Sequence, residues 1–283
     1  KQDVTPLAQF SSSESVYATV SPEGVVTAGP IPGEAAIMAR FMERFAVPDV
    51  NPEDEAEPMR CGGCAAKVGP GPLAEALSRL PPPLAAPAIL LGLDRPDDAA
   101  LLRFEGGPLI TETVDQIRAF IGDPFLFGRI AANHALNDIH AMGATPHHAL
   151  AIATIPFGPS AKVADELHQL LAGARRTLDE AGCALVGGHS AEGETLALGL
   201  AVTGRLEAPP LAKRGARDGD RLILTKALGT GILFAADMRA AAPAPAVEAM
   251  LEAMTRSNAE AARILRAHGA RAMTDVSGFG LLG

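Results

Sequence analysis

Alternating strand and helix signals predict an α/β (α+β) fold in two domains. Three observations carry this expectation. Short apolar runs alternate with glycine-stopped helix patterns from about residue 73 onward. The 283 residues are enough for about two domains at roughly 150 residues each. With 48% hydrophobic and 20% charged residues, the chain can fill a sizeable core. Gly 29 and Pro 23 together make about 18%, under the roughly 25–30% that marks low complexity. Trp is absent and Tyr17 is the one tyrosine, so the core must be aliphatic.

Residues 1–58 read differently from the rest. Val16-Tyr17-Ala18-Thr19-Val20 and Val25-Val26 are short strand signals, and residues 35–46 suit a helix. Residues 47–58 hold three prolines and five acids in twelve positions, the composition of a solvated linker. Residues 59–206 form the first substantial domain. Residues 73–80 carry a short helix signal, ended by Pro81-Pro82-Pro83. Residues 99–104 and 108–114 read as strands. Asp123-Pro124 combines a cap with a proline at the first helical position, so a helix should run to Met142 and stop at Gly143. Residues 148–155 suit a strand. Ser160 should cap a long amphipathic helix over 161–181, stopped by Gly182. Residues 183–186 and 195–203 read as strands around a Gly-rich turn. A second domain opens near residue 207, with a strand at 221–225, helices near 231–240 and 245–268, and a strand-like stretch at 272–276. That βα pattern halts mid-unit at Gly283, as a truncated domain would.

Several function classes are disfavoured. No apolar run approaches the roughly 20 residues of a membrane helix, and no basic-then-apolar leader opens the chain. A net charge of −9 without a basic stripe argues against nucleic acid. Three cysteines make no disulfide framework and suit a reducing compartment, so a cytoplasmic location is expected.

Four features carry chemistry. In Arg60-Cys61-Gly62-Gly63-Cys64-Ala65-Ala66-Lys67, a lysine three residues after Cys64 favours its thiolate. Zinc would need four ligands, and only Cys183 remains. Asp97-Asp98, Asp115 and Asp275 flank apolar strand signals, where carboxylates can converge at one sheet edge and hold Mg²⁺. Taken singly, each is more often a loop aspartate capping a turn. Asn133, His134, Asn137 and Asp138 form a polar stripe at helical spacing, with short heads and no long charges, which favours a site over a solvated face. Val186-Gly187-Gly188-His189-Ser190 offers backbone N–H groups to phosphate, or alternatively makes a tight turn. Thr225-Lys226-Ala227-Leu228-Gly229 is a similar but weaker junction. No P-loop and no nucleophile elbow is present. Together these features suggest phosphoryl transfer at a nucleotide site built without a P-loop.

Over residues 61–283 the chain resembles selenophosphate synthetase (selenide, water dikinase). The resemblance rests on Gly63-Cys64-Ala65-Ala66-Lys67, Asp97-Asp98-Ala99-Ala100, and Asp123-Pro124-Phe125 running on to Asn137-Asp138-Ile139-His140-Ala141-Met142-Gly143. It continues through Gly187-Gly188-His189-Ser190, Leu224-Thr225-Lys226 and Met273-Thr274-Asp275-Val276-Ser277-Gly278. It implies a two-domain, aminoimidazole-ribonucleotide-synthetase-like ATP-binding fold, here with the second domain truncated. The implied reaction converts ATP, selenide and water to selenophosphate, AMP and phosphate. The implied catalytic residues are Cys64, handling selenide, and Lys67, stabilising phosphate charge. The implied Mg²⁺ ligands are Asp98, Asp115, Asp138 and Asp275. Lys67, Asp98, Asp115, Asp138, Gly187, Gly188, His189 and Ser190 would face the ATP phosphates. A homodimer built on the first domain's sheet is implied as well.

Departures accompany the match. Cys61 is an extra cysteine, placed to form a reversible disulfide with Cys64. His134 stands where relatives often carry asparagine. Residues 37–45, close before Met59-Arg60-Cys61, resemble the end of a flavin-dependent NADH-dehydrogenase-like domain. A remnant of that domain is expected over 1–58, with no FAD bound. Two other readings stay open: another ATP-using enzyme of the same superfamily, and a non-catalytic nucleotide-binding fragment.

Overall fold

The computed structural model describes residues 67–68, 70–80, 86–93, 96–278 and 280–281, together with four short strands before residue 42. Cys61, Cys64, the 47–58 linker and Pro81-Pro82-Pro83 lie outside the described residues. The chain divides into two units, Cys61–Asp275 and Lys1–Arg60 with Val276–Gly283.

In the latter unit, β1 (Ala8–Ser12) pairs antiparallel with β4 (Ile37–Phe41), and β2 (Ala18–Val20) with β3 (Val26–Ala28). The helix expected over 35–46 is therefore wrong at Ile37–Phe41. Its apolar residues fit either period, and pairing with β1 decides for the strand.

The Cys61–Asp275 unit is built on one six-stranded sheet. Its strands are β5 (Ile89–Leu91), β6 (Ala100–Arg103), β7 (Leu109–Arg118), β8 (Thr145–Pro156), β9 (Ala184–Gly193) and β10 (Ala197–Leu206). The order is β5-β6-β7-β10-β8-β9, antiparallel throughout except for the parallel β8–β9 pair. A helix, α1 (Pro70–Ser78), precedes the sheet, ending before the prolines as expected.

Two helices cover one face. The first, α2 (Pro124–Ala141), starts where its sequence dictates: the Asp123 carboxylate accepts the Leu126 N–H at 2.9 Å, and Pro124 follows. It ends at Met142, with Gly143 at φ 71. The second, α3 (Ser160–Glu180), starts one residue earlier than expected. The Pro159 carbonyl accepts the N–H groups of Lys162 and Val163, so Ser160 lies inside the helix and makes no cap bond. A Cβ on Gly128 would run into the Leu170 carbonyl, and one on Gly173 into the Phe125 carbonyl. These two glycines let α2 and α3 touch backbone to backbone. The core between helices and sheet is aliphatic, as the composition requires: Ile130, Leu136, Ile139, Leu170, Leu178, Leu198, Leu200 and Val202, with Phe127, are essentially inaccessible to solvent.

Three further expectations are corrected. Gly187 and Gly188 lie inside β9, not in a turn, because Gly188 pairs with Ala151 and a Cβ there would meet the Ala151 carbonyl. The true turn is at residues 194–196. Residues 221–225 and 272–275 form no strand; a β-prone run becomes a strand only when a neighbouring backbone pairs with it, and no described residue does so. The helix expected over 245–268 is two helices, α5 (Ala244–Thr255) and α6 (Ala259–Ala267), after a shorter α4 (Thr230–Asp237). The break falls at Arg256, whose backbone turns extended (ψ 124). Among the described residues, no helix is long and apolar enough to cross a membrane.

Candidate active site: a carboxylate cluster beside Lys67

Four separated segments deliver four carboxylates to one place. Asp98 sits just before β6, Asp115 in β7, Asp138 in α2, and Asp275 at the end of the stretch that follows α6. Asp98, Asp138 and Asp275 each offer an oxygen, and the three oxygens lie within 4.8 Å of one another. Asp115 stands beside them but points one oxygen at Lys67, with Nζ–Oδ1 at 3.0 Å.

Hydroxyls from the same segments hold the carboxylates. Thr113 Oγ1 donates to Asp138 Oδ2 at 2.6 Å, and Thr274 Oγ1 donates to Asp98 Oδ1 at 2.8 Å. His134 Nε2 lies 3.4 Å from Asp115 Oδ2, an electrostatic contact whose alignment falls short of a hydrogen bond. Asp98 Oδ2 and Asp115 Oδ2 are buried with no hydrogen-bond partner.

So many carboxylates in one half-buried place perturb one another. Burial, then the charges of Asp115 and Asp275, push the Asp138 pKa up to about 8. Burial raises Asp98 to about 6, with the Thr274 bond opposing. Burial pulls the Lys67 pKa down, but Asp115, Asp138 and Asp275 outweigh it, and the net shift is upward. Lys67 is a firmly charged ammonium at neutral pH.

An all-oxygen donor set of this kind suits a hard divalent cation such as Mg²⁺, and suits zinc or copper poorly. The residues fit such an ion on two grounds. Buried oxygens lack donors, and two carboxylates resist ionising together without a cation.

Other residues singled out in the sequence lie elsewhere. Gly187, Gly188, His189 and Ser190 belong to the exposed edge strand β9. Asp115, Leu200, Ala151 and Gly188 lie in one row across the sheet. At about 4.8 Å per strand, Gly188 is about 14 Å from Asp115. Cys64 and Cys61 fall outside the described residues. Cys183 is buried in the core, where desolvation raises its thiol pKa to about 11, so it is a packing residue and no ligand. Thr113 and Thr274 carry no signal of their own in the sequence reading. Thr113 could have been found, because it lies two residues before Asp115 in a strand and so shares its face; Thr274 directly precedes Asp275.

Residues 96–206 match the family described as AIR synthase related protein, N-terminal domain. Curated relatives named selenide, water dikinase come from several bacteria. The chain is 45% identical over 222 residues to the selenide, water dikinase of Desulfitobacterium hafniense strain Y51, covering 78% of this chain and 64% of that protein. It is 42% identical over 233 residues to that of Nitratidesulfovibrio vulgaris, covering 80% and 65%. The chain thus spans a little under two thirds of these relatives' length. Among solved structures it resembles tt0281 from Thermus thermophilus (TM-score 0.53, 21% identity, 74% of this chain and 67% of that one). It also resembles thiamine monophosphate kinase from Aquifex aeolicus (TM-score 0.51, 19% identity, 62% and 59%). These likenesses show an α/β fold shared with those proteins.

Proposed function

We propose that this AIR synthase related chain takes part in ATP-dependent synthesis of selenophosphate from selenide and water, with release of AMP and phosphate. The observation that carries the reading is the Lys67–Asp115 ion pair at the rim of the Asp98, Asp138 and Asp275 cluster. Similarity to the selenide, water dikinases names the acceptor.

The chemistry follows from charge. ATP carries three phosphoryl groups, which end as AMP, selenophosphate and phosphate. Two phosphoanhydride bonds break, and each needs an acceptor, one selenide and one water. Phosphoryl transfer depends mainly on positioning and on neutralising anionic oxygens. Asp98, Asp138 and Asp275, with Asp115 adjacent, are the residues that would hold Mg²⁺. The ion supplies charge neutralisation of the phosphates when bound. Lys67 supplies a fixed positive charge, and Asp115 aims it. Cys64, three residues before Lys67 in the chain, is the residue we assign to selenide.

The remaining assignments belong to the same proposal. Gly187, Gly188, His189 and Ser190 are held to the nucleotide by sequence resemblance alone. Val114, Ala201 and Leu150 form a row on the sheet face away from α2 and α3, and Val114, Leu150, Ile152 and Val186 are exposed. That apolar face supports a homodimer, and cysteine usage supports the cytoplasm. Residues 1–58 are assigned to an upstream oxidoreductase remnant and linker, 59–206 to the ATP-binding domain, and 207–283 to the start of the second domain.

Anaerobic ³¹P NMR with ATP, Mg²⁺ and selenide tests the reading. A selenophosphate resonance with AMP, lost in Cys64→Ser and in Lys67→Met, is the expected result. ADP formed without selenide dependence would transfer the chain to another ATP-using activity of the superfamily.

A further inference from the structure

The polar stripe on α2 divides into two rows with different duties. His134 and Asp138 face the carboxylate cluster. Asn133 and Asn137, each four residues from the other and one position off that row, grip the break between α5 and α6 instead. Asn133 Nδ2 donates to the Met254 carbonyl at 2.7 Å and to the Arg256 carbonyl at 3.0 Å. Asn258 Nδ2 donates to Asn137 Oδ1 at 2.9 Å. The Lys226 ammonium donates to the same Arg256 carbonyl. Asn133 is 2% exposed, so these bonds are made away from water. A buried amide with both protons on backbone carbonyls fixes those carbonyls closely; losing it takes a donor from each and leaves the Arg256 carbonyl to Lys226 alone.

The gripped segment leads to the site. The break passes into α6, and the chain beyond α6 carries Thr274 to Asp98 and Asp275 into the cluster. Of the three clustered carboxylates, Asp98 lies in the bend that enters β6 and Asp138 within α2. Asp275 arrives on a stretch with no strand pairing, so its position depends on where α5 and α6 sit against α2. Arg266 anchors the far end of α6, donating to the carbonyls of Gly143 and Pro209. Opening the near end therefore shifts the segment without releasing it from the fold.

We propose that Asn133, Asn258 and Lys226 are positioning residues that register Asp275 with Asp98 and Asp138, and so set the cation affinity of the site. This rests on the reading of the cluster as a divalent-cation site. Mn²⁺ is a suitable probe, because it shares the oxygen-ligand preference of Mg²⁺ and its free ion is counted by EPR. Titrations use the whole chain, with thermal melting measured in parallel. Asn133→Ala and Asn258→Ala are each expected to weaken Mn²⁺ binding about 10–100-fold, the usual cost of losing a group that orients metal ligands. Asn133→Asp, which keeps the shape but turns an oxygen on the two carbonyls, should match Asn133→Ala. Lys226→Met opens the same contact from the half-buried rim, and carries the test if the buried variants do not fold. Asp138→Asn should remove binding altogether. Clamp variants that melt lower but bind Mn²⁺ like the parent overturn the proposal and leave the cation reading standing. Undiminished Mn²⁺ binding by Asp138→Asn overturns the cation reading, and the proposal with it.

Discussion

Replacing Asp138 by asparagine should make the metal-free protein more stable at neutral and alkaline pH. The Asp138 carboxyl has a pKa of about 8 in the folded chain against an ordinary 3.8, chiefly because it is buried and secondly because Asp115 and Asp275 lie close. Between those values the folded chain keeps a proton that the unfolded chain has shed. Stability therefore falls as pH rises from about 4 to about 8, and the full penalty stands above that range. Each tenfold change in acid strength is worth about 1.4 kcal/mol, so at pH 7 the cost is on the order of 4 kcal/mol. Asparagine carries no charge, keeps an oxygen for the Thr113 hydroxyl, and escapes the penalty. Urea unfolding in EDTA at pH 5 and pH 8 reads the effect. The parent should have a clearly lower midpoint at pH 8 than at pH 5, and the variant should lose most of that difference. Excess Mg²⁺ should reverse the comparison at pH 8, because the bound cation keeps the parent's carboxylate ionised and adds stability that the variant cannot gain. Equal midpoints for parent and variant at pH 8 without metal would refute the account of Asp138 as a group held against its charge.

Three further outcomes follow from packing and sequence. Gly173→Ala places a methyl against the Phe125 carbonyl and should lower stability by about 1–3 kcal/mol, the usual cost of overpacking, read as an earlier urea midpoint. Asp123→Ala removes the side-chain acceptor at the start of α2 and should cost about 1 kcal/mol, visible as a lower melting temperature. Cys61→Ser should abolish reversible inactivation by a thiol oxidant such as diamide; unchanged sensitivity in that variant would end the idea of a Cys61–Cys64 disulfide.

How far the fold can be read from the sequence depends on the range of the deciding interaction. The start and stop of α2 are local, set by Asp123, Pro124 and Gly143, and they fall where the sequence puts them. Ser160 looks like an equally good cap, but the Pro159 carbonyl already begins the helix, and a side chain inside the first turn has no cap to make. The middle of β9 misleads because a glycine pair reads as a turn in isolation. Only the close approach of Ala151 on a neighbouring strand shows that Gly188 is needed for sheet packing. Residues 221–225 mislead the other way: the β-prone side chains are present, but no described backbone pairs with them.

The candidate site shows the same division at the level of side chains. Residue type and family resemblance point to Asp98, Asp115, Asp138 and Asp275, but neither can separate their surroundings. Asp115 pairs with Lys67, whereas Asp98, Asp138 and Asp275 each offer an oxygen to one place; burial first, and then the charges of Asp115 and Asp275, raise the pKa of Asp138, and burial with Asp275 raises that of Asp98. Nor can helical spacing divide the α2 stripe. Asn133, His134, Asn137 and Asp138 are equivalent as a pattern, and what distinguishes them is what stands opposite. His134 and Asp138 meet acids from the sheet and from the stretch after α6. Asn133 and Asn137 meet the broken turn at Arg256. Amide side chains serve the second duty because one short head can donate to two backbone carbonyls at once, next to the Lys226 ammonium that meets one of them. An aspartate at position 133 would turn oxygens on the carbonyls that Asn133 holds. Short polar heads fit both rows: acids stand opposite His134 and Asp138, and backbone carbonyls and Asn258 stand opposite Asn133 and Asn137.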